Sequence, residues 1–301
     1  MSPPSAAESP LDVIPTSQIK VNKIQHANAN DQKTPLEILS HGNALPGIPK
    51  FISYDAHRQH ILEHMAGAFR AFARKGYEEG MAGHISVRDP ENPHTFWLNP
   101  LGRPWSLMRA SDMVLVDYAG TAIGGNPCRP VNSAGFLIHS ALHKARPDVN
   151  AACHAHSPYG KAWSAFGRRL EMINQDACVF YGEAQAVYGE FGGVVFNEDE
   201  GKRLAASLGA KGKAMVLRNH GLLTVGQTVD EAAYLFTLME RTCQVQLLVE
   251  AAAASGIAKQ FIGDEEAAYT FDMTADPEGL YCEFQPALEV EDELRNGSFR
   301  Q

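Results

Sequence analysis

The stretch Val149-Asn150-Ala151-Ala152-Cys153-His154-Ala155-His156-Ser157 decides how this chain is read. It predicts a strand over 149–156, entered from Arg146-Pro147-Asp148, where the residue before proline is biased out of the helical region. Successive side chains of a strand point to opposite faces. His154 and His156 therefore share one face, and Cys153 belongs to the other, packed in the core. A second motif, Asn219-His220-Gly221, follows the apolar strand Ala214–Leu217, with His220 66 positions after His154. A third imidazole brought to the pair completes an all-nitrogen face for a divalent metal. Three ligands leave coordination positions open, which marks a catalytic site, since structural zinc sites are usually closed by four.

The surrounding sequence divides into short elements. Ile61, Leu62, Met65, Phe69 and Phe72 recur at helical spacing between His57 and Lys75, and Gly76 ends that helix. Gly80-Met81-Ala82-Gly83 turns into a strand over His84–Arg88, with Ile85 and Val87 alternating. Strands are also predicted at 96–98 and 113–116, separated by the turn Asn99-Pro100-Leu101-Gly102. Asn132 or Ser133 caps a helix that runs to Ala145. Helices follow over 197–208, with Glu200 placed for a capping box, and over 229–254, started by Thr228-Val229-Asp230-Glu231. The apolar residues of the last helix, from Tyr234 to Leu248, read as core or subunit interface. Strands and helices interleave without a strict βαβ rhythm, and no dinucleotide-binding or Walker A motif occurs. The expected fold is a mixed α/β layered domain around one sheet. Residues 1–50 read as a disordered or docking arm, 51–260 as the domain, and 261–301 as an irregular tail on the surface or on a partner.

Composition narrows the function classes. The 301 residues carry a formal net charge of −9, which argues against a nucleic-acid binder. No 18-residue apolar run is present, so no membrane span is expected. Met1–Asp12 lacks the basic and apolar regions of a signal peptide. Cys128, Cys153, Cys178, Cys243 and Cys282 are scattered and odd in number, which suits a reduced, cytoplasmic protein.

The motifs also fall in a recognisable order: Gly83-His84-Ile85-Ser86-Val87-Arg88, Asn99-Pro100-Leu101-Gly102, Ala110-Ser111-Asp112-Met113, Ala145-Arg146-Pro147-Asp148-Val149, Cys153-His154-Ala155-His156-Ser157 and Arg218-Asn219-His220-Gly221. Over residues 58–255 the chain resembles the class II aldolase/adducin family. The resemblance implies a three-layer α/β/α domain with a central, mostly antiparallel sheet. It implies a divalent metal on His154, His156 and His220, zinc first and iron or manganese as alternatives. It also implies a homotetramer with active sites at subunit interfaces and a small-molecule substrate. Two departures stand out. The acidic residue that begins the helix before the histidine pair in the sugar-phosphate enzymes falls at Gly135 here. Their phosphate-holding asparagine and serine pair are replaced by His84 and by Ser133-Ala134. Both place the chain with the adducin-like branch, which includes non-catalytic adducins, decarboxylases and decarboxylating oxygenases.

An all-histidine site keeps the metal's full charge and can chelate an oxo or hydroxy carboxylate. Aldol cleavage needs a base and an acid. Decarboxylation needs mainly stabilisation of the enolate left behind, so loss of the carboxylate harms it less. The expectation is a metal-dependent carbon–carbon lyase, a decarboxylase by preference. Alternatives are an aldolase on a non-phosphorylated substrate, an Fe(II)/O2-dependent oxidative decarboxylase and a non-catalytic interaction module. His84, Tyr159 and Glu183 are candidate catalytic residues, against bland roles in turns, loops or solvent. Gly102, Ser133, Gly135 and Ser157 are candidate substrate-binding residues. His139 and His143, at i and i+4 on a helix, read as packing residues or as support for the ligands.

Overall fold

A computed structural model describes residues 33–195 and 197–301. Its centre is an eight-stranded sheet in the order β4-β3-β2-β1-β5-β8-β7-β6. The strands are β1 (His84–Arg88), β2 (Thr95–Leu98), β3 (Val114–Asp117), β4 (Ala122–Gly125), β5 (Ala151–Ala155), β6 (Gln185–Tyr188), β7 (Ala214–Leu217) and β8 (Gly221–Gly226). Every neighbouring pair is antiparallel except β6 with β7. This is the mostly antiparallel sheet that the resemblance implies.

Helices cover both faces. On one side lie α3 (Ser133–Ala145) and α5 (Glu198–Leu208), whose Ile138, Leu142, Leu204 and Leu208 pack on Ala152, Met215, Leu223 and Val225. On the other lie α2 (Tyr54–Arg74), α4 (Pro158–Ser164) and α6 (Val229–Ala253). There Met65, Phe69, Phe72 and Phe236 pack on Ile85, Val87, Cys153 and Leu222. The strand alternation thus puts Cys153 in the larger core and His154 toward the α3 layer. Caps fix the helix starts: the Ser53 hydroxyl accepts from Ala56 N–H, and the Asn132 side chain accepts from Gly135 N–H. At α5 the cap is Asn197, accepting from Asp199 N–H, rather than the expected box with Glu200.

The two ends of the chain differ from the sequence expectation. Residues 261–301 are not an irregular tail: they form α7 (Asp264–Thr274) and α8 (Pro277–Arg295). Leu280, Phe284, Leu288 and Phe299 are buried in the same core as α2 and α6. Asp276 caps α8 and Pro277 occupies its first turn. Of the expected arm, residues 1–32 lie outside the described residues. The remainder includes α1 (Pro35–Leu39), whose Leu36 packs with Ile48, Tyr281 and Cys282 of the same chain. No described helix is long and apolar enough to cross a membrane.

Because Phe284 is 2% exposed, Phe284→Ala is expected to cost about 3–5 kcal/mol by cavity formation. Urea unfolding checks this, and a cost under about 1 kcal/mol would mean that α8 merely rests on the surface.

Candidate metal centre

The histidine face forms where two strands end together. β5 pairs with β8 in the register Ala155 to Leu222 and His154 to Leu223. β7 and β8 are joined by the three residues Arg218-Asn219-His220, with Asn219 in the left-handed region at φ 57°. That turn returns His220 beside the end of β5. Gly221 permits the approach, because a Cβ there would sit 2.8 Å from the Ala155 carbonyl oxygen. The ring centroids of His154 and His220 are 4.7 Å apart, those of His156 and His220 4.8 Å, and those of His154 and His156 5.1 Å. One ring nitrogen from each lies within 4.8 Å of the others.

The protonation pattern suits ligation. His154 Nδ1 donates to the Leu222 carbonyl at 2.8 Å, which leaves Nε2 as a lone pair for a metal. Burial is the main cause holding all three imidazoles neutral. His154 lies well below the ordinary range, His220 is pushed down to about 4, and His156 is lowered. Three neutral nitrogens that converge without a carboxylate fit a borderline divalent ion such as zinc or iron better than manganese, which prefers oxygen ligands.

Beside this face runs a buried chain that sequence reasoning assigned only in part. β1 and α3 present alternating groups to each other: His84 and Ser86 from the strand, His139 and His143 from the helix. His84 Nδ1 lies 2.6 Å from His139 Nε2, His139 Nδ1 2.5 Å from Ser86 Oγ, and Ser86 Oγ 2.8 Å from His143 Nε2. His143 Nδ1 then meets the Val149 carbonyl at 3.2 Å. A carbonyl only accepts, so His143 Nδ1 donates and its Nε2 accepts from the serine hydroxyl. The serine in turn accepts from His139, whose Nε2 accepts from His84 Nδ1. The whole chain is thereby oriented, and His84 keeps its Nε2 as an acceptor on the side of the histidine face. Burial, then Arg88, pushes His143 down to about 3. His84 and His139 are also well below the ordinary range, burial being the main cause.

The Gly135 departure now has a physical reading. A Cβ at Gly135 would lie 2.4 Å from His84 Cδ2 and 2.9 Å from His84 Nε2. The imidazole of His84 fills the space that a side chain at 135 would need. On the family resemblance, the departures at Gly135 and His84 are thus one exchange, whereas the one at Ser133-Ala134 is separate.

A cavity of about 840 Å³ opens onto the three histidines, with Met81, Leu101, Val131, Phe191 and Val194 among its apolar walls. His84, Ser133, His154, His156 and His220 line it, as do Asn219 of the turn and Lys161, which the sequence did not single out. Gly135 lies in the first turn of α3, against His84, and does not itself line the cavity. The other candidates lie elsewhere. Glu183 is exposed in a turn and paired with Lys211 at 2.7 Å. Tyr159 and Ser157 start α4, where Glu240 accepts from Ser157 Oγ and from the N–H groups of Tyr159 and Gly160. Gly102 is a turn residue whose carbonyl accepts from Arg129.

Comparison with known proteins agrees with this architecture. The class II aldolase and adducin N-terminal domain model matches residues 63–247, and the chain belongs to that family. It is 46% identical over 206 residues to the decarboxylase NovR of Streptomyces niveus, covering 68% of this chain and 75% of that one. It is 45% identical over 209 residues to the 4-hydroxy-3-prenylphenylpyruvate oxygenase/4-hydroxy-3-prenylbenzoate synthase of Streptomyces roseochromogenus, covering 69% and 74%. Among solved structures, the L-fuculose 1-phosphate aldolase of Glaciozyma antarctica superposes with a TM-score of 0.77 at 42% identity, covering 84% of this chain and 97% of that one.

Two outcomes follow. Gly135→Glu should destabilise by about 1–3 kcal/mol through overpacking, and adding His84→Asn should relieve most of that cost. A double-mutant cycle in urea reads this, and additive costs would disprove the exchange. The depressed histidines also make metal-free stability pH-dependent. Their contribution is fully present above the unfolded pKa near 6.5 and is lost as pH falls toward the folded values, about 3 for His143 and about 4 for His220. Each adds a slope of up to about 1.4 kcal/mol per pH unit below 6.5. The urea midpoint of metal-free protein should therefore drop steadily between pH 7 and 5, with a shallower slope in His143→Gln.

Proposed function

We propose that the chain is a metal-dependent carbon–carbon lyase that decarboxylates an aromatic or similarly apolar oxo acid. One observation carries the reading. The three-histidine face opens into a large cavity with apolar walls, and no Asp or Glu is among the described residues that line it.

The chain's own groups suit such a substrate. The start of α3 leaves the N–H groups of Ser133 and Ala134 without intrahelical partners, next to the cavity, where a carboxylate is favoured. Lys161 adds a positive group on the wall, paired with Glu79 at 2.6 Å. A divalent ion held by His154, His156 and His220, zinc first, would supply positive charge for the enolate left when a 3-oxo carboxylate loses CO2. In that reaction the bond from C2 to the carboxylate breaks, its electron pair passes to the carbonyl oxygen, and a proton returns to C2. No protein base has to take a proton from the substrate. His84 Nε2, fixed as an acceptor, would position a water beside C2; that water gives its other proton to C2, and the hydroxide left is reprotonated from solvent through the open cavity.

Two other lyase readings rest on specific observations. A 2-oxo acid would leave its electron pair on the carbonyl carbon, out of reach of enolate stabilisation, so its loss of CO2 needs an electron-sink cofactor or an oxidant. The oxygenase relative favours O2 for that case, and iron in the histidine face would suit it. The aldolase structure favours aldol cleavage, with His84 Nε2 as the base, and the apolar cavity walls favour a non-phosphorylated substrate for it. An adducin-like module without chemistry would gain nothing from three converging neutral imidazoles.

The test uses metal-stripped protein reloaded with Zn(II) without oxygen, or with Fe(II) and O2, and given aryl 3-oxo acids, aryl 2-oxo acids and aryl hydroxy-ketones. CO2 release from the 3-oxo acid without O2 uptake is expected, with His156→Ala lowering kcat by about 10²–10³. CO2 release only with O2 uptake would replace this reading with the oxidative one, and carbon–carbon cleavage without CO2 with the aldol one. A protein that retains no metal and turns over none of these substrates would fit the interaction module.

A further inference from the structure

A second histidine cluster lies away from the strand ends, between α2 and the start of α6. His57, His60 and His64 follow one face of α2 at spacings of three and four residues. The rings of His60 and His64 are 3.7 Å apart at their centroids. Asp230, in the first turn of α6 and 1% exposed, places Oδ1 2.6 Å from His64 Nδ1. Gln285 of α8 donates to the same oxygen at 2.9 Å. One ligating atom from each of His60, His64 and Asp230 lies within 4.8 Å of the others.

A structural role accounts for only part of this. The hydrogen bonds joining His64, Asp230 and Gln285 tie α2, α6 and α8 together. They do not account for His60, which makes no hydrogen bond to any described residue while its ring lies against that of His64. Phe51 covers the cluster, stacking on His57 at 4.4 Å and leaning on His60 at 4.9 Å. Tyr281 flanks both His60 and His64 at about 6 Å. A cavity of about 500 Å³ reaches His57, His60 and Asp230, so the cluster is open to small ions. Burial and the neighbouring His64 push His60 down to about 4, so it keeps a free lone pair at neutral pH.

We infer that His60, His64 and Asp230 form a second divalent transition-metal site, built from two imidazoles and a carboxylate and open to the cavity beside them. Two nitrogen ligands select a zinc-class ion over calcium or magnesium, which take oxygen ligands. The buried carboxylate offsets part of the ion's charge. Bound there, the ion would join α2 to α6, with α8 held through Gln285.

The test is metal stoichiometry on the full chain, independent of catalysis. Protein stripped with a chelator is titrated with Zn(II) alone by calorimetry, and metal per chain is measured after desalting. Two equivalents are expected. His60→Ala, a helix-compatible change, should lose one, and so should Asp230→Asn. The double variant His154→Ala/His156→Ala should lose the other and keep the first. Thermal unfolding should show a rise in Tm between the first and second equivalents that is missing in His60→Ala. One equivalent in the unaltered chain that is unchanged in His60→Ala and lost in the double variant would overturn the site. So would two equivalents that persist in His60→Ala.

Discussion

A histidine pair at the end of a strand makes a usable face only if that strand cannot slip. β5 is held on both edges, by β1 in the register His84 to His154 and by β8 in the register Ala155 to Leu222. Both of its faces are covered by helices, and all five of its residues are buried. A slip of one residue would send His154 into the layer of Cys153 and Phe236 and bring Cys153 to the cavity. That would bury a polar ring in an apolar core, and register is strongly specified under such conditions. The geometry of the candidate centre is thus a consequence of sheet packing.

The same registers set up the buried chain from His84 to Val149. Its direction comes from its far end, since a carbonyl cannot donate and every group before it must follow. Each member satisfies its neighbour. Removing the Ser86 hydroxyl would strand a donor and an acceptor in a dry interior, at about 1–3 kcal/mol each. Arg88, on the same face of β1, donates to the carbonyls of His143, Arg146 and Val149 and holds the far end in place. One strand face therefore carries, at successive alternate positions, a cavity histidine, a relay serine and an anchoring arginine.

How much of this the sequence discloses depends on range. His154 and His156 are legible because a strand has a period of two, and Asn219-His220-Gly221 because only a sharp turn suits that triplet after an apolar run. The cap at Asn132 and the helix it starts are legible for the same local reason. The relay is not, because it pairs His84 and Ser86 with residues more than fifty positions away, and only the fold brings β1 against α3. Glu183 illustrates the converse: a carboxylate near the motifs in sequence lies in an exposed turn with Lys211. The C-terminal helices left a local signal, Asp276-Pro277 followed by Leu280, Phe284 and Leu288 at four-residue spacing. Pro286 within α8 obscured it, since proline ordinarily interrupts a helix.

The exchange at positions 84 and 135 bears on what the cavity can hold. A carboxylate beside three neutral imidazoles would cut the charge of a divalent ion there from +2 to +1. His84 is held neutral, so a centre built from this chain would keep the full +2 in a largely apolar space. An uncompensated charge in such a space is costly, and the compensation has to come from the ligand. A substrate that brings its own carboxylate and a second oxygen meets that need, whereas a neutral sugar does not. The apolar walls formed by Leu101, Val131 and Phe191 then favour a substrate whose remaining bulk is hydrophobic. In the proposed reading, charge and shape would select the same class of molecule, through residues far apart in the sequence.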